Sequence, residues 1–374
     1  MYKVATIIGT RPELIRLSST IGELDRFFEH IMIHTGQNYD RELNEIFYED
    51  LNIRKPDIYL NSAGKSAIET ISNILVKVEK ILIEENPDAV VILGDTNSAL
   101  SAIVAKRYQI PIFHIEAGNR CFDFRVPEEI NRRIVDSISD VNITYSKLAK
   151  SNLLGEGFDP QRLVALGSPM REVLQGQQNK IRRSKIIDLL GLEAGRFFLM
   201  SFHREENVDN PTSLNKVVTI CNQLVLDFDV PVVISMHPRT RDRVLSSGLE
   251  FLDRVITSKP FCYSDYMRLQ IDARCVLSDS GTLVEEASIA GFSAIGLRDV
   301  TERGEGLENG GVILTGLEYE KIKTAIEMVD EFNLSGRDFF STAPDYDCQN
   351  FSKKFSRLLL SSLALINRVV WSKE

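Results

Sequence analysis

Residues 89–98 read Ala89-Val90-Val91-Ile92-Leu93-Gly94-Asp95-Thr96-Asn97-Ser98. The apolar run Ala89–Leu93 is too short for a helix and suits a strand buried on both faces. Gly94 closes it. Helical spacing then runs over Ser98–Tyr108, and a second apolar run follows at Ile112–Ile115. Strand, helix and strand in this order build a parallel sheet, because a parallel neighbour needs a long crossover, usually a helix.

The same alternation extends in both directions. Strands are expected at Lys3–Ile8, Ile31–His34, Val141–Tyr145 and Leu163–Leu166, then at Phe197–Ser201, Val232–Met236, Val255–Ser258, Cys275–Leu277, Ala294–Leu297 and Val312–Leu314. Helical patterns cover Pro12–Phe27, Ala67–Glu84, Glu128–Ile138, Ser213–Leu226 and Leu283–Ala290. The chain therefore reads as α/β. The polar, repeat-free stretch Arg171–Lys185 looks like a junction, leaving about six strands on each side, the size of one doubly wound domain. We expect two such Rossmann-like domains, residues 1–170 and 171–354, with ligand in the cleft between them.

Composition narrows the function. The 374 residues are 43% apolar and 26% charged, ordinary for a globular protein with substantial cores. A net charge of −9 gives polyanions no general attraction, so no nucleic-acid partner is expected. Five scattered cysteines without a CxxC pair argue against disulfides and zinc ribbons and fit a reducing compartment. No signal peptide and no membrane span are read, so the expected location is the cytoplasm. The greasy Leu358–Trp371 stretch is interrupted by Ser361, Ser362, Asn367 and Arg368, and reads as a docked helix.

Unusual polar residues recur after the strands, where open α/β sheets bind ligands. The first strand leads into Gly9-Thr10-Arg11-Pro12-Glu13, where Arg11 stands beside free backbone N–H groups suited to a phosphate; an ordinary strand–helix connection reads the same way. Asp95, Glu116 and the pair Glu128-Glu129 fall at three such places. Each acid alone is explained by helix capping or the helix dipole. Together on one sheet edge they can split their pKa values and serve as general acid and general base. In the second half, His203 and His237 each follow a strand near an arginine, which favours an anion site. Ser278-Asp279-Ser280-Gly281-Thr282 opens a helix whose first N–H groups suit a diphosphate, with Glu285 placed for a ribose. Gly304-Glu305-Gly306, read as part of a polar loop, lacks the third glycine of a dinucleotide fingerprint, and no Walker A, HExxH or GxSxG pattern occurs. Nothing calls for a metal or a nicotinamide; no cofactor is expected.

In family order, these pieces resemble the non-hydrolysing UDP-N-acetylglucosamine 2-epimerases. The matching residues are Gly9–Glu13, Gly94-Asp95-Thr96, His114–Gly118, Pro127–Arg132, His203-Arg204-Glu205, His237-Pro238-Arg239, Ser278–Gly281 and Thr301-Glu302-Arg303. The resemblance implies two Rossmann-like domains in a B-type glycosyltransferase arrangement. A C-terminal helix, about 355–374, would pack back on the first domain. It also implies a homodimer whose partners are a UDP-activated amino sugar and UDP.

Two departures point to a branch making UDP-N-acetyl-L-fucosamine from UDP-2-acetamido-2,6-dideoxy-L-talose, for capsule or O-antigen. The segment Asn119–Pro127 is shorter than in the N-acetylglucosamine enzymes, and Asn38-Tyr39 follows Gln37 where those enzymes continue with His. The implied mechanism is elimination of UDP across C1–C2 and its re-addition. Asp95, Glu116 and Glu128 would serve as acid, base and orienting group, with Glu129 as the alternative to Glu128, and His203 near the leaving oxygen. Arg11, Arg16, His237, Ser280 and Gly281 would hold phosphates, Glu285 the ribose, and Arg303 the UDP side of the site. Epimerisation of UDP-N-acetylglucosamine, a B-type glycosyltransferase and an inactive UDP-sugar-binding regulator remain alternatives.

Overall fold

The computed structural model describes residues 1–37, 41–202, 210–236, 238–334 and 343–373. Two compact units result: residues 1–176 with 344–374, and residues 177–343.

The first unit holds β1 (Lys3–Ile8), α1 (Arg11–Phe27), β2 (Glu29–His34), α2 (Arg41–Leu51), β3 (Ile58–Tyr59), α3 (Ala67–Glu85) and β4 (Ala89–Leu93). A 3-10 turn at Asn97–Ser101 then leads into α4 (Ala102–Arg107), so the expected single helix over Ser98–Tyr108 is two short pieces. There follow β5 (Ile112–Ile115), α5 (Pro127–Ile138), β6 (Val141–Thr144), α6 (Lys147–Gly155) and β7 (Leu163–Ala165). The strands run in the order β3-β2-β1-β4-β5-β6-β7, every neighbouring pair parallel. That is one strand more than the composition of a half suggested. The two-residue β3, only partly buried, is too short to register as an apolar run.

The second unit is a six-stranded sheet, order β10-β9-β8-β11-β12-β13. Its strands are β8 (Phe198–Ser201), β9 (Val232–Ser235), β10 (Val255–Ser258), β11 (Cys275–Ser278), β12 (Ala294–Gly296) and β13 (Ile313–Leu314). Both sheets reverse direction of growth once, between β1 and β4 and between β8 and β11, and such switch points are where doubly wound sheets bind ligands.

The Arg171–Lys185 stretch, read as the junction, contains the division between the two units at Gly176–Gln177 and is helical, forming most of α7 (Met170–Arg183). Its Arg, Lys, Gln and Glu residues are good helix formers, and Met170, Val173, Leu174 and Ile181 supply a sparse buried stripe. A correction is the Gly304–Gly306 region, which is a short helix, Gly304–Glu308. A Cβ on Gly306 would stand 2.1 Å from Cγ1 of Val284, so only glycine lets this helix lie so close to Leu283–Ala290.

The C-terminal helix, Phe351–Val370, belongs to the first unit. Phe355 sits edge-on to Phe113 of β5 and Phe351 edge-on to Tyr145. Within the greasy stretch itself, Leu359, Leu363 and Ile366 are buried, while Leu360, Leu365 and Val369 are exposed. No helix among the described residues is long and apolar enough to cross a membrane.

Candidate active site

In the first unit, the switch point is organised by Glu13. Its Oε2 accepts the backbone N–H groups of Gly9 (2.6 Å) and Thr10 (2.7 Å), while Oε1 lies 2.7 Å from the Thr96 hydroxyl. One buried carboxyl thus caps α1 and ties the β1 turn to the β4 turn. Burial pushes its pKa up to about 7, against the pull of Thr96, Gly9 and Thr10. Gly9 has no alternative: a Cβ there would lie 1.9 Å from the Ser98 hydroxyl and 2.5 Å from that of Thr35. Those two hydroxyls bond each other at 2.7 Å, and Ser98 also reaches Gln37 at 3.2 Å.

The acids follow at the ends of β4 and β5 and the start of α5. Glu116 stands in the left-handed region, φ +72°, where a side chain with a Cβ is strained. Its Oε2 accepts from Arg16 Nη1 of α1 at 2.5 Å, and both side chains are largely buried. Asp95 receives Arg132 Nε (2.9 Å) and Nη2 (2.5 Å) on one oxygen, and its carbonyl accepts from Asn131 at 3.0 Å.

Glu128 and Glu129 part company. Glu129 is fully buried and accepts from Arg132 (2.7 Å), Arg133 (2.9 Å) and the Cys121 backbone (3.0 Å). Burial pushes its pKa up, but the Cys121 N–H and the Arg132 charge outweigh that and hold it below the ordinary value. Both of its oxygens are engaged in this network. Glu128, in the first turn of α5, keeps a partly exposed side chain.

In the second unit, the switch point is a hydroxyl chain. Ser201 at the end of β8 bonds Ser278 at the end of β11 (2.8 Å) and Tyr266 (2.8 Å), and Ser278 accepts the Ser280 N–H at 3.0 Å. Gly281 leaves room for Glu302, whose Oε1 would lie 2.6 Å from a Cβ there; Glu302 in turn meets Arg298 at 2.5 Å. The loop after β12 is thereby held against the Ser278–Thr282 turn. Glu285 and Arg303 face each other at 2.8 Å, with no exposed side-chain surface on either.

The expected site residues therefore fall into two groups. Asp95, Glu116, Glu128, Arg11 and Arg16 belong to the first unit's switch point, Arg11 lying over the Phe47 ring at 5.7 Å. Ser280, Gly281, Glu285 and Arg303 belong to the second. His203 and His237 lie outside the described residues, as do Asn38 and Tyr39. The sequence reading gave no role to Arg132, although the spacing of Glu129 with Arg132 and Arg133 on one helix is the i,i+3 and i,i+4 pattern of ion pairs. Arg298 and Glu302 carried no such signal, because a turn and not a helix brings them together. Among the described residues, no group of three or more His, Cys, Asp or Glu side chains is arranged to hold a metal ion.

Comparison with known proteins gives a consistent result. The family model described as UDP-N-acetylglucosamine 2-epimerase matches residues 22–360. The solved structure of UDP-N-acetylglucosamine 2-epimerase from Rickettsia bellii is similar over 100% of both chains, with 43% identity and a TM-score of 0.93. The Methanocaldococcus jannaschii UDP-GlcNAc 2-epimerase, in complex with UDP-GlcNAc and UDP, covers 96% of this chain and 99% of its own, with 33% identity and a TM-score of 0.88. A UDP-2,3-diacetamido-2,3-dideoxy-D-glucuronate 2-epimerase from Pseudomonas aeruginosa is 36% identical over 327 residues, 86% of this chain and 90% of that one.

Proposed function

This chain belongs to the UDP-N-acetylglucosamine 2-epimerase family, and on that premise we propose that it inverts C2 of UDP-2-acetamido-2,6-dideoxy-L-talose to give UDP-N-acetyl-L-fucosamine. UDP-sugar 2-epimerase activity follows from the family. The choice of sugar is the narrower reading. Relatives named for N-acetylglucosamine are 43% and 33% identical to it and one named for a diacetamido-glucuronate nucleotide is 36% identical, so a relative with a different sugar falls inside the range of the N-acetylglucosamine ones. What supports a 6-deoxy substrate is the short Asn119–Pro127 segment with its two phenylalanines, together with Asn38-Tyr39.

The observation that carries the chemistry is the acidic cluster at the first unit's switch point. The C2 proton is weakly acidic, so direct exchange is slow. Elimination solves this: a base takes the C2 proton, the C1–O bond breaks, and UDP leaves with the electron pair, giving a 2-acetamidoglycal. Re-addition returns UDP to C1 while an acid delivers a proton to the other face of C2. The reaction is redox-neutral overall. Such a site needs acid/base groups for both faces and cations for the departing diphosphate. In this reading Asp95, Glu116 and Glu128 fill the first need, with His203 assisting near the leaving oxygen. Glu129 is set aside, because its oxygens are occupied by Arg132, Arg133 and Cys121. Arg11, Arg16, His237, Ser280 and Gly281 take the phosphates. Glu285, oriented by Arg303, takes the ribose.

The product would feed a reaction transferring the amino sugar to a capsule or O-antigen chain. Assembly as a homodimer is part of the same reading; Ile68, Val76 and Ile83 give α3 an exposed apolar face of the kind a second copy covers.

The test is proton NMR in deuterium oxide with each of two substrates. Deuterium entering C2 of the 6-deoxy sugar alone supports the full reading. Deuterium entering only UDP-N-acetylglucosamine keeps the mechanism and rejects the sugar. No exchange with either substrate rejects both.

A further inference from the structure

The charged side chains around Asp95 close into a circuit. His114, on β5, bonds the Gly94 carbonyl through Nε2 (2.8 Å) and lies 2.9 Å from Asp136 through Nδ1. The other oxygen of Asp136 meets Arg120 (2.7 Å), which forks onto Glu156 (2.7 Å). Glu156 continues through Arg133 (3.0 Å) to Glu129. From there Arg132 leads to the carboxylate of Asp95. The series leaves from the carbonyl of one residue and returns to the side chain of the next.

The atoms nearest the two ring nitrogens of His114 are both oxygens, the Gly94 carbonyl, which takes a hydrogen bond from Nε2, and a carboxylate oxygen of Asp136 close to Nδ1. From Asp136 onward, anions alternate with cations along the circuit to Asp95. Burial alone would lower the pKa of His114, but the close carboxylate of Asp136, with the Gly94 carbonyl and the Asp95 charge, raises it above the ordinary value.

The cost of this arrangement is informative. His114, Asp136 and Arg120 have no exposed side-chain surface. Desolvating each ion costs several kcal/mol, and apolar packing often serves stability as well. Apolar packing would not hold the Gly94–Asp95 turn from both sides. Gly94 has φ +71° and no side chain to anchor it, so its carbonyl is the available handle. Asp136 also accepts the Gly118 N–H at 3.2 Å, which extends the hold to the turn after Glu116.

We propose that His114 is a positioning residue for the epimerisation, fixing the Gly94–Asp95 turn and, through Asp136 and Arg120, the segment that leads to Glu128. This rests on the role given above to Asp95. The experiment compares His114→Phe, which fills the space without donating, with His114→Gln, which retains a donor for Gly94, and with Asp95→Asn. Turnover and KM are measured separately, well below each variant's melting temperature. The expected result is a kcat about 100-fold lower for His114→Phe with KM within about threefold, the size of loss that a small misplacement causes. His114→Gln should recover about tenfold of it. Near-normal kcat in His114→Phe, with Asp95→Asn inactive, overturns the proposal and leaves the role of Asp95 intact. Near-normal kcat in Asp95→Asn rejects that role and the proposal with it. Should His114→Phe not fold, His114→Gln and Asp136→Asn serve instead: lowered kcat at unchanged KM in both supports the proposal, and wild-type kcat in both overturns it.

Discussion

Arg16 Nη1 lies 2.5 Å from Oε2 of Glu116, joining the first helix of the chain to a residue 100 positions later that stands at φ +72°. A buried anion on a strained backbone is a costly feature, and such features concentrate at functional sites. Removing the cation takes a buried counter-charge away from the anion. Arg16→Met is therefore expected to destabilise the fold by about 3–5 kcal/mol, read as a lowered urea midpoint. Glu116→Gln keeps the shape but removes the counter-charge of the buried Arg16, so it too should lower the urea midpoint, and under conditions where it is fully folded it should lose at least about 100-fold in turnover. Normal turnover in Glu116→Gln would remove it from the acid/base set.

Adjacent acids on one helix turn make a sharper comparison. Glu129→Gln breaks a buried network in which Arg132 and Arg133 both meet the carboxylate, and should cost about 3 kcal/mol or more of stability. Glu128→Gln touches a partly exposed group and should leave the melting temperature within a degree or two while abolishing C2 exchange. Thermal melts beside the deuterium assay separate the two. The reverse pattern would exchange their roles.

Two glycines test backbone geometry. Gly118 has φ +81°, and a Cβ there would lie 2.3 Å from the carbonyl oxygen of Ala149, which cannot swing aside. Gly118→Ala should cost at least about 2 kcal/mol, because strain and backbone clash add. At Gly94, φ +71°, the nearest atom to a Cβ would be Oε2 of Glu116 at 3.5 Å, ordinary contact. Gly94→Ala should cost about 1 kcal/mol of stability and show its larger effect in turnover. Chemical denaturation beside a rate assay would reveal a reversed order.

Glu13 gives the chain a pH-dependent term of known sign. Its folded pKa of about 7 lies above the ordinary 4.5, chiefly through burial. Between those values the folded state holds a proton that the unfolded state has released. Its contribution to stability therefore falls as pH rises through this window and levels off above it, by about 3 kcal/mol in all. Glu13→Gln cannot ionise and should remove that slope. Urea unfolding at pH 5 and pH 8 measures it: the difference between parent and variant should grow in the variant's favour at pH 8. Parallel pH profiles would show that Glu13 is not buried as a neutral acid.

Much of this was legible in the residues. Ala89–Leu93 and its counterparts announced parallel strands because burial on both faces leaves continuous apolar runs. The acids after those strands were visible because strand ends are where such a sheet exposes polar groups to a ligand. What escaped was information held across space. Arg132 reads as a surface cation until Asp95 arrives beside it, and His114 reads as one more strand residue until Gly94 and Asp136 close on its two nitrogens. The helix α7 was missed because its buried stripe is sparse amid charged neighbours. Helix-forming propensity, not apolar periodicity, was the signal there.

Phe122 and Phe124 bear on the sugar. They are 68% and 65% exposed, and both rings lie against the Arg133 guanidinium, at 5.7 and 5.3 Å. An exposed cation–π contact returns only about 0.5–1 kcal/mol, while φ +56° at Phe122 costs about 1–3 kcal/mol, so folding alone does not explain the arrangement. The rings belong to the segment just before Glu128, which supports their use as an apolar surface for the methyl that a 6-deoxy sugar carries in place of a hydroxymethyl group. Phe122→Ser and Phe124→Ser should each change stability by less than about 1 kcal/mol. One of them should lower kcat/KM for the 6-deoxy substrate at least about tenfold, the usual worth of a methyl contact, and leave any UDP-N-acetylglucosamine activity nearly unchanged. Competition between the two substrates in one tube reads the ratio directly. Equal losses on both would mean that the rings shape the loop and do not read the sugar, and the preference would then have to reside elsewhere in the site.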